Sequence, residues 1–274
     1  MEFWQYEFMQ RALVAALLVG LAAPAVGVFV VQRRLALIGD GMGHVALTGV
    51  ALGLLTGRSP VLVALVVAVL GAVAIEVVRA RGRTSADVAL AILFYGGIAG
   101  GVVLISKAPG GTAATLSAYL FGAITTTTAT DLIVFAALTA AVLLVTVGLA
   151  RELFSVSNDE EFATAGGLPV RTLNLALAVL VATTVVLSMR VVGLLLISAL
   201  MVVPVATATT MTRSFRGTLL VALVIGVGVS VAGVVGSYYA DTPSGGTIVL
   251  LAIALFAVAV TVRTVLAATQ RARS

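Results

Sequence analysis

Apolar residues fill this chain in long uninterrupted blocks, and charged residues gather at the block ends. A hydrocarbon core about 30 Å thick takes roughly 20 apolar residues per helix, and the blocks divide at about that length. They predict spans at 12–32, 36–55, 60–79, 86–105, 131–150, 173–189, 191–211, 217–238 and 246–265. Each is expected to be helical, because a backbone in lipid must satisfy its own hydrogen bonds. Span 173–189 is short and only Arg190 separates it from the next, so this pair reads as a tight hairpin. The stretch 116–128 is apolar from Leu116 to Ile124 and then runs into Thr125–Thr128, which suits a re-entrant or interfacial piece. The fold class is therefore an all-α integral membrane protein. It is a polytopic helical bundle of about nine transmembrane helices, eight or ten being the alternatives, in one domain over residues 1–274.

Composition agrees. The chain is 61% hydrophobic and 10% charged, with a mean hydropathy of +1.21, whereas soluble domains carry about 25% charged residues. It has no cysteine, which excludes disulfides, thiolate metal sites and cysteine nucleophiles. A net charge of +5 raises nucleic acid as a partner until the basic residues are located. With the N-terminus outside, the inside set is Arg33, Arg34, Arg79, Arg81, Arg83, Arg151, Arg171, Arg213, Arg216, Arg263, Arg271 and Arg273. The outside set is Arg11, Arg58, Lys107 and Arg190. Twelve against four is a positive-inside bias, so the basic pI is a topology signal and no nucleic acid is implied. Trp4, Tyr6 and Phe8 then suit an outer interfacial anchor. A signal peptide over 1–25, with Ala23-Pro24-Ala25 as its cleavage site, is the weaker reading, because the apolar stretch continues to Val31 and ends in Arg33-Arg34. The one lysine, Lys107, is followed by Ala108 and Pro109, which excludes a P-loop of the chain's own.

One inside connection, 151–172, is long for so economical a chain, and such loops are usually functional. It predicts a short helix, Asn158 to Ala165, capped by Ser157 or Asn158 and stopped at Gly166-Gly167. Asp159, Glu160 and Glu161 then lie in its first turn, where the helix dipole favours carboxylates. Such a helix lying across the cytoplasmic face suits docking by a soluble partner; the plain alternative is a solvated connector.

Most carboxylates sit at span ends, where they read as caps, dipole partners or interfacial charges. Asp40 and His44 differ. They lie inside the second span, four residues apart and so on one helix face, and ionisable groups there are functional hypotheses. If that helix starts near Ala36, they lie about 6 and about 12 Å in. Either Asp40 caps the helix and His44 bonds a carbonyl, or the two share a divalent cation of the zinc or manganese kind. Gly39 and Gly43, like Gly49 and Gly53, form a small-xxx-small pair that allows close helix approach. Pro204 interrupts the span at 191–211 and frees a carbonyl near Leu200, leaving either a gate or a kink repaired by Thr207, Thr209, Thr210 and Thr212.

The sequence resembles the membrane permease subunit of bacterial zinc/manganese/iron ABC importers over nearly its whole length. The resemblance is carried by Arg33-Arg34, by Gly39-Asp40 and by the run from His44 to Ala51. Further matches are Tyr119-Leu120-Phe121-Gly122, Val192-Gly193-Leu194-Leu195, the run from Ala199 to Ala208, and the run from Tyr239 to Gly245. It fits a multi-pass subunit of the bacterial inner membrane, for which the arginine distribution puts the N-terminus outside and the C-terminus in the cytoplasm. It also implies a second permease copy, two cytoplasmic P-loop ATPase subunits and an extracytoplasmic metal-binding protein. No permanent cofactor is implied: zinc or manganese, with iron as the third candidate, is cargo, and ATP acts only through the partner. Segment 155–167 becomes the ATPase-coupling piece. Relatives often carry more histidines than this chain's one, which leaves no second histidine-built site here.

Two further expectations follow. In the coupling segment, Phe162 with Ala163, Ala165 and Gly166 should enter a groove on the ATPase, with Asp159, Glu160 and Glu161 at the rim. In the second span, one Asp40–His44 pair is too few ligands for a dehydrated ion, but two copies about a twofold axis supply two carboxylates and two imidazoles. Gly39 and Gly43 would permit that approach. A proton-coupled secondary transporter with Asp40 as relay is the alternative, although the internal repeats it calls for are not convincing. An intramembrane hydrolase lacks a nucleophile–base pair.

Overall fold

The computed structural model describes residues 6–80, 86–108, 113–122, 127–194 and 196–271. Of the sequence expectations, Trp4, Arg81, Arg83, Pro109, Leu195, Arg273 and the 123–126 part of the threonine-rich stretch lie outside these residues. The described residues form α1 (Glu7–Gln32), α2 (Ile38–Leu55), α3 (Pro60–Ala80), α4 (Ala86–Ile105), α5 (Ala113–Phe121) and α6 (Ala129–Gly148). Then come α7 (Ala150–Asn158), α8 (Glu160–Ala165), α9 (Val170–Ser188), α10 (Ile197–Met211), α11 (Phe215–Ala240) and α12 (Ser244–Arg271). Seven of these are long and apolar enough to cross a membrane, and Leu90–Ile105 and Ile197–Met211 are shorter apolar helices. Together they occupy the nine expected positions.

Among the described residues, α1, α2 and α9 are the most buried of the long apolar helices. α1 is buried along most of its length and packs on α6, α9, α10 and α11, while α2 is enclosed by α3, α4, α9 and α10. Small residues make this packing close: a Cβ on Gly49 would lie 2.5 Å from the Ala64 Cα of α3, and one on Gly53 would lie 2.7 Å from the Pro60 Cα. With no water to expel between helices in lipid, such contacts hold the bundle by packing.

The hairpin expected around Arg190 is looser than its sequence suggested, since α10 begins six residues later than span 191–211. Gly193 has a φ of +89°, open only to glycine at low cost, and its missing Cβ leaves room for the Leu120 carbonyl. Leu194 N–H donates to the Tyr119 carbonyl (3.0 Å) and the Ser244 hydroxyl donates to the Val191 carbonyl (3.1 Å). The turn is therefore satisfied by the end of α5 and the start of α12, and irregular backbone survives because protein covers it. Burial also raises the pKa of the Tyr119 phenol. Arg190 itself donates to Asp131 (2.7 Å), which closes a capping box with Thr128 at the start of α6.

The up-and-down order gives the bundle two chemically distinct ends. One gathers Tyr6, Phe8, Tyr238 and Tyr239, with ring centroids 5.4–6.5 Å apart along the series. The other gathers Arg33, Arg79 and Glu160. The arginine distribution predicts that the second end faces the cytoplasm. Single cysteines at Asn158 and Thr242 test it, both positions being exposed and at opposite ends. In sealed cells a membrane-impermeant thiol reagent should label Thr242→Cys alone. Labelling of Asn158→Cys from outside would reverse the topology. Ser244 would serve poorly as a probe, being 6% exposed.

Candidate functional site

α2 starts at Ile38, two residues later than expected, with Leu37 at its N-cap. Asp40 therefore sits in the first turn and is half-buried, while His44 one turn on is only 8% exposed. α4 clamps this edge of α2. A Cβ on Gly97 would fall 2.6 Å from the His44 carbonyl carbon, so only glycine lets the two backbones meet there. Thr48 Oγ1 donates to the Gly97 carbonyl (2.8 Å), and the Phe94 ring stands edge-on to the imidazole at 4.5 Å.

The polar atoms on this edge are short of partners. His44 Nδ1 is buried without a hydrogen bond, so it does not satisfy a neighbouring carbonyl. Ser198 Oγ of α10 is also buried and unpartnered in good geometry, although it lies close to the Asp40 carboxyl. Most buried polar atoms are hydrogen-bonded, and the exceptions ask for an explanation. A carboxylate, an imidazole and a hydroxyl at one place form a set suited to a divalent transition metal. Yet among the described residues no group of three or more His, Cys, Asp or Glu gathers in one chain.

Gly39 and Gly43 do not serve as a free face for a second copy. Gly39 lies under Ser198 Oγ, and a Cβ on Gly43 would sit 3.0 Å from the Leu194 carbonyl. Both glycines seat α2 against α10 and the turn before it, so the expected dimer approach through them is corrected to intrachain packing. Pro204 is buried within α10, which continues as one helix around it. The threonine hydroxyls at 207, 209, 210 and 212 return to the carbonyls of Val203, Ala206, Thr207 and Ala208, and none repairs Leu200.

The 151–172 connection folds as two helices rather than one. Asp159 breaks them with an extended backbone (φ −155°) and caps α8, accepting from Phe162 N–H at 2.9 Å. The cap is thus Asp159; Ser157 and Asn158 belong to α7. Only Glu160 and Glu161 occupy the first turn of α8. Phe162 is 72% exposed, and Glu161, Ala165 and Gly166 are exposed with it. Ala163 instead turns inward at 1% exposed, so it packs α8 onto its own chain and is unavailable to a partner.

Glu160 does not stand at a rim either. Its Oε1 accepts from Arg33 at the C-cap of α1, from Arg79 of α3 (3.1 Å) and from Asn174 Nδ2 of α9 (3.2 Å). Arg33 also donates to Asn174 Oδ1, and Arg79 holds Glu76 through two bonds of 3.0 Å. Two arginines thus balance two glutamates. Arg33 is 7% exposed at its side chain, and that burial pushes its pKa down while Glu160 pulls it up. A left-handed Arg34 (φ 58°) after it sends the neighbouring side chain outward. A cavity of about 40 Å³ separates this cluster from the underside of α2, bounded by Ile38 and Met42. Sequence reading missed the cluster; Asn174, the one amide side chain of α9 and a buried one, was the signal for it. A larger cavity, about 710 Å³, opens at the tyrosine end between α1, α5 and α11, with Asp241 as its one carboxylate.

Known proteins place this arrangement. The family model described as the ABC 3 transport family matches residues 5–263. The "Manganese transport system membrane protein MntC" of Halalkalibacterium halodurans is 35% identical, over 93% of this chain and 87% of its own. The "Probable iron transport system membrane protein" of Haemophilus influenzae is 31% identical, over 93% of each. Among solved structures, PsaBC from Streptococcus pneumoniae in complex with Fab superposes with a TM-score of 0.85 at 32% identity, covering 93% of this chain and 92% of that one. The chain is a membrane permease of the ABC 3 transport family.

Proposed function

We propose that this permease imports a divalent transition metal of the manganese, zinc and iron group, driven by a separate ATPase. The observation that carries the reading is the buried, unpartnered His44 Nδ1 beside Asp40, with the buried Ser198 hydroxyl close to the Asp40 carboxyl. The manganese and iron systems named for the relatives support the cargo class. One chain supplies two charged or imidazole ligands, so a second copy completes the set as two carboxylates and two imidazoles. Two carboxylates offset the ion's charge and lower the cost of holding it within hydrocarbon. An extracytoplasmic metal-binding protein delivers the ion at the tyrosine end, and two cytoplasmic ATPase subunits dock on α8.

Reconstitution in sealed vesicles with the ATPase tests this reading. Manganese or zinc should enter only with ATP, and one bound ion should be found per two permease chains. Uptake driven by a proton gradient without ATP would instead favour a secondary transporter with Asp40 as relay. Two ions per two chains would place a complete site in each copy.

Docking has its own test. Phe162 is an apolar ring standing clear of α8 with a charged rim at Asp159 and Glu161, the usual form of an interface anchor. Phe162→Ala should cost about 2 kcal/mol of ATPase association, seen as loss of co-purification, with the melting temperature of the permease unchanged. Unchanged co-purification and metal-stimulated ATP hydrolysis would make α8 a connector only.

A further inference from the structure

α10, α11 and α12 enclose a groove of about 870 Å³ that the transport reading does not use. Its α11 and α12 walls are apolar, with Val224 and Ile225 facing Leu255, Val258 and Val262, while α10 contributes Thr207, Thr210 and Met211. Along α12 the lining runs from Leu255 to Leu266, eleven rises of 1.5 Å or about 17 Å, roughly half a hydrocarbon core of about 30 Å. The groove therefore spans one leaflet.

Two arginines, Arg213 and Arg263, line this groove. Arg11, Arg33, Arg79 and Arg190 all reach carboxylates. Arg213 and Arg263 are exposed and have no ion-pair or hydrogen-bond partner among the described residues. Their own part of the sequence offers none: from Phe162 to the last residue the chain contains a single carboxylate, Asp241, and that lies at the opposite end of α11. Two guanidiniums at the charged end of a one-leaflet apolar channel match a lipid whose headgroup is negative and whose tail is long.

We propose that this groove binds an anionic phospholipid, its acyl chain between α11 and α12 and its phosphate between Arg213 and Arg263. Basic pockets between transmembrane helices bind such headgroups, and guanidinium pairs with phosphate through parallel hydrogen bonds. A soluble acidic protein would find the guanidiniums but has no use for the apolar walls below them.

The test reads lipid contact by tryptophan quenching in the full chain. Trp4 is the sole tryptophan, so Trp4→Phe gives a silent background. In that background Val262→Trp reports on the groove, and Leu144→Trp reports on an exposed position of α6. Vesicles of phosphatidylcholine carry equal contents of brominated phosphatidylglycerol or brominated phosphatidylcholine. At position 262 the phosphatidylglycerol should be preferred about tenfold, since each arginine near the surface contributes a several-fold factor. At position 144 the two should quench alike. Arg213→Gln with Arg263→Gln should abolish the preference at 262 without changing position 144. Equal quenching at 262 by both lipids, or a preference that survives the double substitution, would overturn the proposal. Protection of position 262 from both lipids would overturn it too, showing that a protein, such as a second copy, covers the groove.

Discussion

Asp40→Asn and His44→Ala should each lower metal import by at least about 10-fold, since removing a ligand costs no less than disturbing its supporting shell. The asparagine keeps the shape of Asp40 and removes its charge. That position is half-buried and bears no ion pair among the described residues, so folding should be nearly unchanged. His44→Ala removes the ring that meets Phe94, which should cost about 1 kcal/mol, too little to unfold the bundle. Both variants should still co-purify with the ATPase and should bind no stoichiometric metal. Because ligands must be deprotonated to hold a metal, import by the unaltered protein should fall as pH falls. Normal uptake by both variants would return this edge of α2 to a purely architectural role.

The second large effect is expected at Glu160. Glu160→Gln leaves Arg33 and Arg79 facing one another at the base of α1 and α3, with Asn174 as Arg33's remaining partner. Breaking a fully buried pair costs 3–5 kcal/mol. Glu160 is 43% exposed at its side chain, so water repays part of that, and we expect about 2 kcal/mol. The permease should melt several degrees lower. ATP hydrolysis should continue while import falls disproportionately, because α8 would no longer be tied to α1, α3 and α9. A double variant, Arg33→Met with Glu160→Met, should recover much of the stability and little of the import. If Glu160→Gln alters neither melting nor the ratio of import to hydrolysis, the cluster is a passive surface network.

The sequence disclosed the apolar helices of the described residues because length and hydrophobicity are local properties, read within each block. It also disclosed Asp40 and His44, since a charge inside a span stands out without knowledge of its neighbours. What surrounds them was hidden. Ser198 and Phe94 come from other helices, and nothing local announces that a serine in α10 will face a carboxylate in α2. Arg33 shows the same limit. Its place after an apolar block made it a topology marker, while its partners, Glu160 and Asn174, lie 127 and 141 residues away. Within 151–172 the helix was foreseen but its start was set one or two residues early, because Ser157, Asn158 and Asp159 are all good caps. The extended backbone at Asp159 decides among them, and with it the rotation that buries Ala163 and exposes Phe162.

That rotation bears on how the transporter is assembled. A six-residue helix cannot persist on its own in water, and a loose segment would have to order itself when its partner arrives. Here the cap at Asp159, the inward Ala163 and the grip on Glu160 complete the ordering within the permease itself. If α8 is the docking element proposed above, association loses little conformational entropy and needs little change of shape. The permease should present one shape to successive ATPase molecules, and exchange of that subunit should follow second-order kinetics with no slow step attributable to folding of the loop.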